Sequence, residues 1–93
     1  MTIQAVAKVT IYSSSYCGFC FRAKRLLDSK DAAYIEISVD GRSDLRQQMV
    51  QLTGGHTVPQ IIINEKAIGG CDELYMLDHQ QALDPLLAVL QPS

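Results

Sequence analysis

The stretch Val6–Ser29, VAKVTIYSSSYCGFCFRAKRLLDS, carries two secondary-structure signals and a cysteine pair at the joint between them. Val6 to Tyr12 is rich in β-branched and aromatic residues and runs into Ser13-Ser14-Ser15, which suits a strand ending in a loop. From Gly18 to Ser29 the apolar residues Cys20, Ala23, Leu26 and Leu27 recur at three-to-four spacing, while Arg22, Lys24, Arg25 and Asp28 fall elsewhere on the wheel. That spacing predicts an amphipathic helix opening at the cysteines. Beyond it, Tyr34 to Val39 sets Ile35, Ile37 and Val39 on one face, the period of a half-buried strand. A helix between two strands is a βαβ unit, which implies a parallel pair and a right-handed crossover.

Asp40-Gly41 breaks that second strand, and Ser43 or Asp44 is expected to cap a helix whose stripe is Leu45, Met49 and Leu52 and which Gly54-Gly55 ends. Gln60 to Ile63 and Lys66 to Ile68 flank Asn64-Glu65 and read as a hairpin. After Gly69-Gly70, Asp72 is the expected cap of a helix containing Leu74, Met76 and Leu77. Asp84-Pro85 then reads as an N-cap and first helical residue for Leu86 to Leu90. The order is βαβαββα with a split last helix. The fold class is α/β: a four-stranded mixed sheet flanked by helices, consistent with a thioredoxin-like fold.

Ninety-three residues suit one domain, 1–93. The apolar share of 47% against 19% charged is globular composition. Eight Lys plus Arg against ten Asp plus Glu leave a net charge of −2, with no basic surplus for nucleic acid or anionic lipid. No charged start with a long apolar run follows Met1, and no stretch approaches the roughly 18 apolar residues of a membrane span, so a soluble cytoplasmic protein is expected. Three cysteines, an odd number, argue against a secreted disulfide framework and leave Cys17-Gly18-Phe19-Cys20 for redox chemistry or metal binding.

The spacing of Cys17 and Cys20 suits a reversible disulfide, because residues three apart on a helical turn meet the Cα separation of roughly 4.4–6.8 Å that such a bond needs. The first helical turn also presents unpaired N–H groups and the positive end of the macrodipole, which favour a thiolate at Cys17. Free cysteine titrates near 8.5, whereas helix-start cysteines of this motif fall to about 3.5–7.5, so Cys17 is the expected nucleophile. Cys20, one turn deeper, is the expected resolving thiol that attacks the mixed disulfide on Cys17 and releases the substrate thiol. A zinc site would need two further ligands from Cys71, His56 and His79, which offer no second close-spaced pair. A packing role for the two cysteines is the other bland alternative.

Thr57-Val58-Pro59 precedes the hairpin, and the proline biases Val58 toward an extended backbone whose edge can pair with a peptide. Sequence alone favours a trans bond before Pro59. Gly69-Gly70-Cys71-Asp72 reads either as a capped helix start or as N–H donors and a carboxylate facing an amino-acid-like ligand. Cys71 is read as a packing residue, and His56 and His79 as surface residues.

Together, Tyr12 followed by Cys17-Gly18-Phe19-Cys20, then Thr57-Val58-Pro59-Gln60, then Ile68-Gly69-Gly70-Cys71-Asp72-Glu73-Leu74 resemble a glutaredoxin of the small bacterial dithiol type across almost the whole chain. The resemblance implies a glutathione-dependent thiol–disulfide oxidoreductase that reduces glutathione mixed disulfides and protein disulfides, with glutathione as co-substrate, such proteins as partners and a monomer as the working unit. It implies Cys17 as attacking and Cys20 as resolving cysteine, and a cis bond at Pro59 in place of the trans default. It further implies a glutathione site in which Val58 pairs its backbone with the cysteinyl part and Thr57 belongs to the same motif. Cys71 and Asp72 would hold the γ-glutamyl end, and Arg46 would face the glycyl carboxylate. Tyr16 and Gly70 complete that set.

Two departures stand out. Many family members carry Lys three residues before the first cysteine, where this chain has Ser14; losing that cation implies weaker glutathione binding and a less depressed Cys17 pKa than in Lys-bearing relatives. Gly18-Phe19 replaces the common Pro-Tyr and resembles single-cysteine glutaredoxins that carry iron–sulfur clusters. The alternative reading is therefore a dimer holding a [2Fe–2S] cluster through Cys17 of each chain and two glutathiones. The short Ser13-Ser14-Ser15-Tyr16 segment and the presence of Cys20 favour the dithiol enzyme.

Overall fold

Val9 and Ile11 point to one side of the first strand and Thr10 and Tyr12 to the other, and helices cover both sides. A computed structural model describes residues 7–88. Its elements run β1 (Val9–Ser13), α1 (Gly18–Ser29), β2 (Ile35–Ser38), α2 (Ser43–Thr53), β3 (Gln60–Ile63), β4 (Lys66–Gly69), α3 (Cys71–His79) and α4 (Leu83–Leu87). The sheet order is β2-β1-β3-β4. β1 pairs parallel with β2, Tyr12 opposite Ile37, and antiparallel with β3, Tyr12 opposite Gln60. This is the expected four-stranded mixed sheet of a thioredoxin-like α/β domain.

The alternation in β1 divides the core in two. Val9 and Ile11 join Ala23 and Leu27 of α1, Ile61 and Ile63 of β3, Leu74 of α3 and Leu83 of α4. On the opposite face Tyr12 packs with Val39 and Met49, the latter the one residue of α2 that is fully buried. Lys30, at the end of α1, bridges Asp78 of α3 at 2.7 Å and Asp84 of α4 at 3.0 Å, fastening the three helices of the larger face.

Several boundaries differ from the sequence expectation. β1 starts at Val9, because at Lys8 the pairing passes to Asn64, whose side chain accepts from the Lys8 N–H at 3.0 Å and whose N–H donates to the Lys8 carbonyl at 2.8 Å. Val6 lies outside the described residues. β2 is an edge strand shorter than the expected Tyr34–Val39: Ile37 within it and Val39 just beyond its end reach the smaller cluster while Ile35 stays exposed. Leu52, expected on the buried stripe of α2, is exposed too.

Helix starts differ most. Arg42, not Ser43 or Asp44, occupies the N-cap of α2, and Asp44 in the first turn instead accepts from Arg42 Nε at 3.0 Å and Nη2 at 2.8 Å. Gly70, not Asp72, is the N-cap of α3; the Glu73 carboxylate reaches back to the Gly70 N–H at 2.7 Å, the return half of a capping box. α4 begins at Leu83, so Asp84 and Pro85 lie inside its first turn, where proline loses only an N–H that has no helical partner. Leu90 of the expected helix is outside the described residues. The β3–β4 hairpin matches expectation: Asn64 and Glu65 both take positive φ, 52° and 67°, as a two-residue type I′ turn requires.

Candidate functional site

Cys17 sits at the N-cap of α1 with extended backbone angles, φ −105° and ψ 104°. At that position a side-chain acceptor takes a hydrogen bond from one of the first free N–H groups of the helix. Here the acceptor is sulfur: the Cys20 N–H donates to Cys17 Sγ at 3.1 Å. The two Cα atoms are 5.2 Å apart and the sulfurs lie at disulfide distance. Cys17 is half-buried, whereas Cys20 is 1% exposed and packed beneath the helix start. An incoming sulfur therefore reaches Cys17 first, and Cys20 can act only from behind it.

The loop leading to Cys17 is pinned by a residue that its own sequence does not contain. Asp40, just after β2, accepts from the Ser14 hydroxyl at 2.5 Å and the Ser15 N–H at 2.8 Å. Those donors, the Ser14 hydroxyl above all, hold the Asp40 carboxyl down at about 2. Lower in the same strand pair, Glu36 accepts from Lys24 and from the buried Ser13 hydroxyl, which together hold its carboxyl below the usual range. Tyr16, between the pinned serines and Cys17, takes a left-handed φ of 59° and projects wholly into solvent.

The far wall comes from the second half of the chain. The Val58–Pro59 bond is cis, as the family resemblance implied and against the trans default. The Val58 carbonyl lies 3.8 Å from Cys17 Sγ, and among the described residues neither backbone group of Val58 is bonded to another backbone group. Thr57, Val58, Pro59, Gly70, Cys71 and Asp72 converge on one open recess of about 170 Å³. Six of the expected ligand residues are thus gathered beside Cys17. Phe19 and Glu73 also line it; neither was singled out as a binding residue, although both stand inside the motifs quoted above. Cys71 belongs to the larger core cluster, and burial pushes its thiol up, outweighing nearby Arg22. It is a packing residue in the floor of the recess.

Tyr16 and Arg46 do not line that recess. Arg46, on α2, borders a separate hollow of about 390 Å³ with Ser43, Gln47, Val50 and His56, and its guanidinium is 3.5 Å from the His56 carbonyl. His56 in the lining of this hollow and Thr57 in that of the recess are consecutive in the chain. A roomier groove of about 410 Å³, bordered by Tyr12, Ile37, Leu52 and Ile62, has no cysteine in its lining.

Among the described residues no group of three or more His, Cys, Asp or Glu side chains is placed to hold a metal ion. His56 and His79 are both exposed, and of the three cysteines Cys20 and Cys71 are buried while Cys17 is part-exposed. A [2Fe–2S] cluster takes four ligands; in the dimer alternative each chain supplies one of them, Cys17, and two glutathiones supply the rest. No helix among the described residues is long and apolar enough to cross a membrane.

The glutaredoxin family model matches residues 9–68, from β1 through the cysteine pair and the cis-proline segment into β4. Glutaredoxin 3 of Escherichia coli strain K12 is 48% identical over 82 residues, covering 88% of this chain and 99% of its own length. Among solved structures, a glutaredoxin of Brucella melitensis superposes with a TM-score of 0.79 at 41% identity, covering 89% of this chain and 90% of its own. A buckwheat glutaredoxin in complex with glutathione superposes at 0.79 and 36% identity, covering 87% and 80%.

Proposed function

The chain belongs to the glutaredoxin family, and from that premise we propose that its thiol–disulfide chemistry is glutathione-dependent reduction of glutathione mixed disulfides and of protein disulfides. The carrying observation is the placement of Cys17 Sγ, which accepts the Cys20 N–H on one side and faces the unpaired Val58 backbone on the other.

The steps follow from that placement. As a thiolate, Cys17 attacks the substrate disulfide; one S–S bond forms at Cys17 as another breaks, and the leaving thiolate takes up a proton. For a protein disulfide, Cys20 then attacks the Cys17 sulfur, releases the second substrate thiol and closes the intramolecular disulfide. Two reduced glutathiones reopen it in turn: the first forms a mixed disulfide at Cys17 and frees the Cys20 thiol, and the second attacks that mixed disulfide, frees Cys17 and leaves as glutathione disulfide. For a mixed disulfide with glutathione, a second glutathione can resolve Cys17 directly, so Cys20 assists without being required. The expected poise is about −200 to −230 mV, a reductant in cytoplasmic conditions.

In the glutathione site, the Val58 backbone edge meets the cysteinyl part, Thr57 and Pro59 shape that edge, and the Gly70, Cys71 and Asp72 segment meets the γ-glutamyl end. Arg46, bordering the neighbouring hollow, reaches toward the glycyl carboxylate, and Tyr16 flanks the entrance. A tripeptide with two carboxylates and one amine calls for this combination of cation, acid and strand edge.

The test is reduction of a small glutathione mixed disulfide coupled to glutathione reductase and NADPH, compared with the same assay driven by thioredoxin reductase. Turnover is expected with glutathione only, lost in Cys17→Ser and partly retained in Cys20→Ser. Full activity in Cys17→Ser would reject the nucleophile, and turnover supported only by thioredoxin reductase would reject glutathione.

A further inference from the structure

Gln60 is polar and yet 7% exposed, and the mechanism above leaves it unused. It opens β3 opposite Tyr12, directly after the cis Val58–Pro59 bond. Its side chain turns back along the chain, and Nε2 donates to the Thr57 carbonyl at 2.9 Å. The carboxamide therefore bridges the two ends of the segment that contains Val58. Gly55 supplies the room: a Cβ added there would overlap the Gln60 amide. Gly55 is itself held, its N–H donating to Thr53 Oγ1 at 3.0 Å, while the Thr53 hydroxyl donates to the Met49 carbonyl at 2.8 Å. Side-chain to backbone bonds thus hold both ends of the segment between α2 and β3, with the Gln60 amide seated against Gly55 between them.

We propose that Gln60 is a positioning residue for glutathione, its carboxamide holding the Thr57 carbonyl so that the Val58 edge stands at the distance from Cys17 that peptide pairing needs. The role rests on the glutathione reading above and deepens it. A donor at the end of an unbranched side chain is what the geometry uses; an apolar side chain of similar length fills the space without holding the carbonyl. Gly55 belongs to the same device, since any side chain there must push the amide away.

The experiment measures apparent KM for glutathione and kcat with a small mixed disulfide for the wild type, Gln60→Met, Gln60→Ala, Gly55→Ala and the double variant Gly55→Ala/Gln60→Ala. Cys17 alkylation rate and thermal midpoint are recorded for each. Gln60→Met is expected to raise KM about three- to ten-fold, the loss of roughly one hydrogen bond, with Cys17 alkylation unchanged. Gly55→Ala should raise KM comparably in the wild-type background and less than about two-fold beside Gln60→Ala, because both changes break one contact. A lowered thermal midpoint with KM unmoved in Gln60→Met, or a full Gly55→Ala effect persisting in the double variant, overturns the positioning role. If Gln60→Ala does not fold, Gln60→Met and Gly55→Ala still decide through KM. Absence of glutathione turnover in the wild type overturns the glutathione reading itself, an outcome distinct from wild-type turnover with variants that match it.

Discussion

The Cys20 backbone N–H lies 3.1 Å from Cys17 Sγ, so Cys20 supplies, through its main chain, part of the field around the Cys17 sulfur. This separates two roles that the Cys17-Gly18-Phe19-Cys20 motif merges. In the proposed mechanism the sulfur of Cys20 resolves, whereas its N–H and the first turn of α1 stabilise negative charge on Cys17. Replacing Cys20 with Ser removes the first role and leaves the second. Cys17 in Cys20→Ser is therefore expected to alkylate as a thiolate well below the ordinary cysteine value of about 8.5. The check is the pH profile of iodoacetamide reaction; a midpoint at or above that value means the helix start is not what activates the sulfur.

Ser14 and Asp40 set up a second test. Asp40 has no ion-pair partner among the described residues, and it grips the loop that carries Cys17 through the Ser14 hydroxyl and Ser15 N–H. In Ser14→Lys an ammonium would meet that carboxylate, turning an unpaired negative charge near the site into a neutral pair. Apparent KM for glutathione and the Cys17 midpoint should both fall relative to wild type. If steady-state kinetics and the alkylation profile show neither moving, the departure at Ser14 has no electrostatic consequence.

The same carboxylate gives a pH signature. Asp40 is held at about 2, below the ordinary 3.8, chiefly by the Ser14 hydroxyl. A carboxyl depressed in the folded state adds stability that is fully present above its unfolded pKa and disappears as pH falls through the folded one. The window is thus from about 4 down to about 2. Asp40→Asn should be less stable at neutral pH and lose stability less steeply across that window. Urea unfolding at a series of acidic pH values reads the slope, and parallel curves for the two proteins would contradict the clamp.

How far the sequence carried depended on the range of the interaction. The strand–helix–strand start, the Asn64-Glu65 turn and the cysteine geometry are set by neighbours within a few residues, and each matched the structure. Helix starts were missed where a side chain reaches backwards or is diverted: Glu73 bonds the Gly70 N–H, so Asp72 is not the cap, and Arg42 engages Asp44. The Asp40 clamp spans 25 and 26 residues and leaves no local trace. Motif recognition placed Thr57, Val58, Pro59, Gly70, Cys71 and Asp72 together, which periodicity alone could not, because they come from two segments joined only by the fold. The exposure of Ile35 and Leu52 was hidden for a related reason: period identifies a face, but only the layout of the sheet tells how far a covering helix extends.

Met49 tests how the smaller face is held. It is the only residue of α2 that is fully buried, and it closes the cluster with Tyr12 and Val39 beneath the helix that carries Arg46. With Leu45 only partly buried and Leu52 exposed, α2 has little other apolar anchorage. Met49→Ala should therefore cost about 2–5 kcal/mol, the usual range for emptying a packed core site. It should also loosen Arg46 relative to the cis-proline segment. Urea denaturation gives the stability change, and apparent KM for glutathione should rise while the Cys17 alkylation profile stays in place, since α1 packs on the opposite face of the sheet with Val9 and Ile11. A loss below about 1 kcal/mol would show that α2 is anchored by something other than this residue.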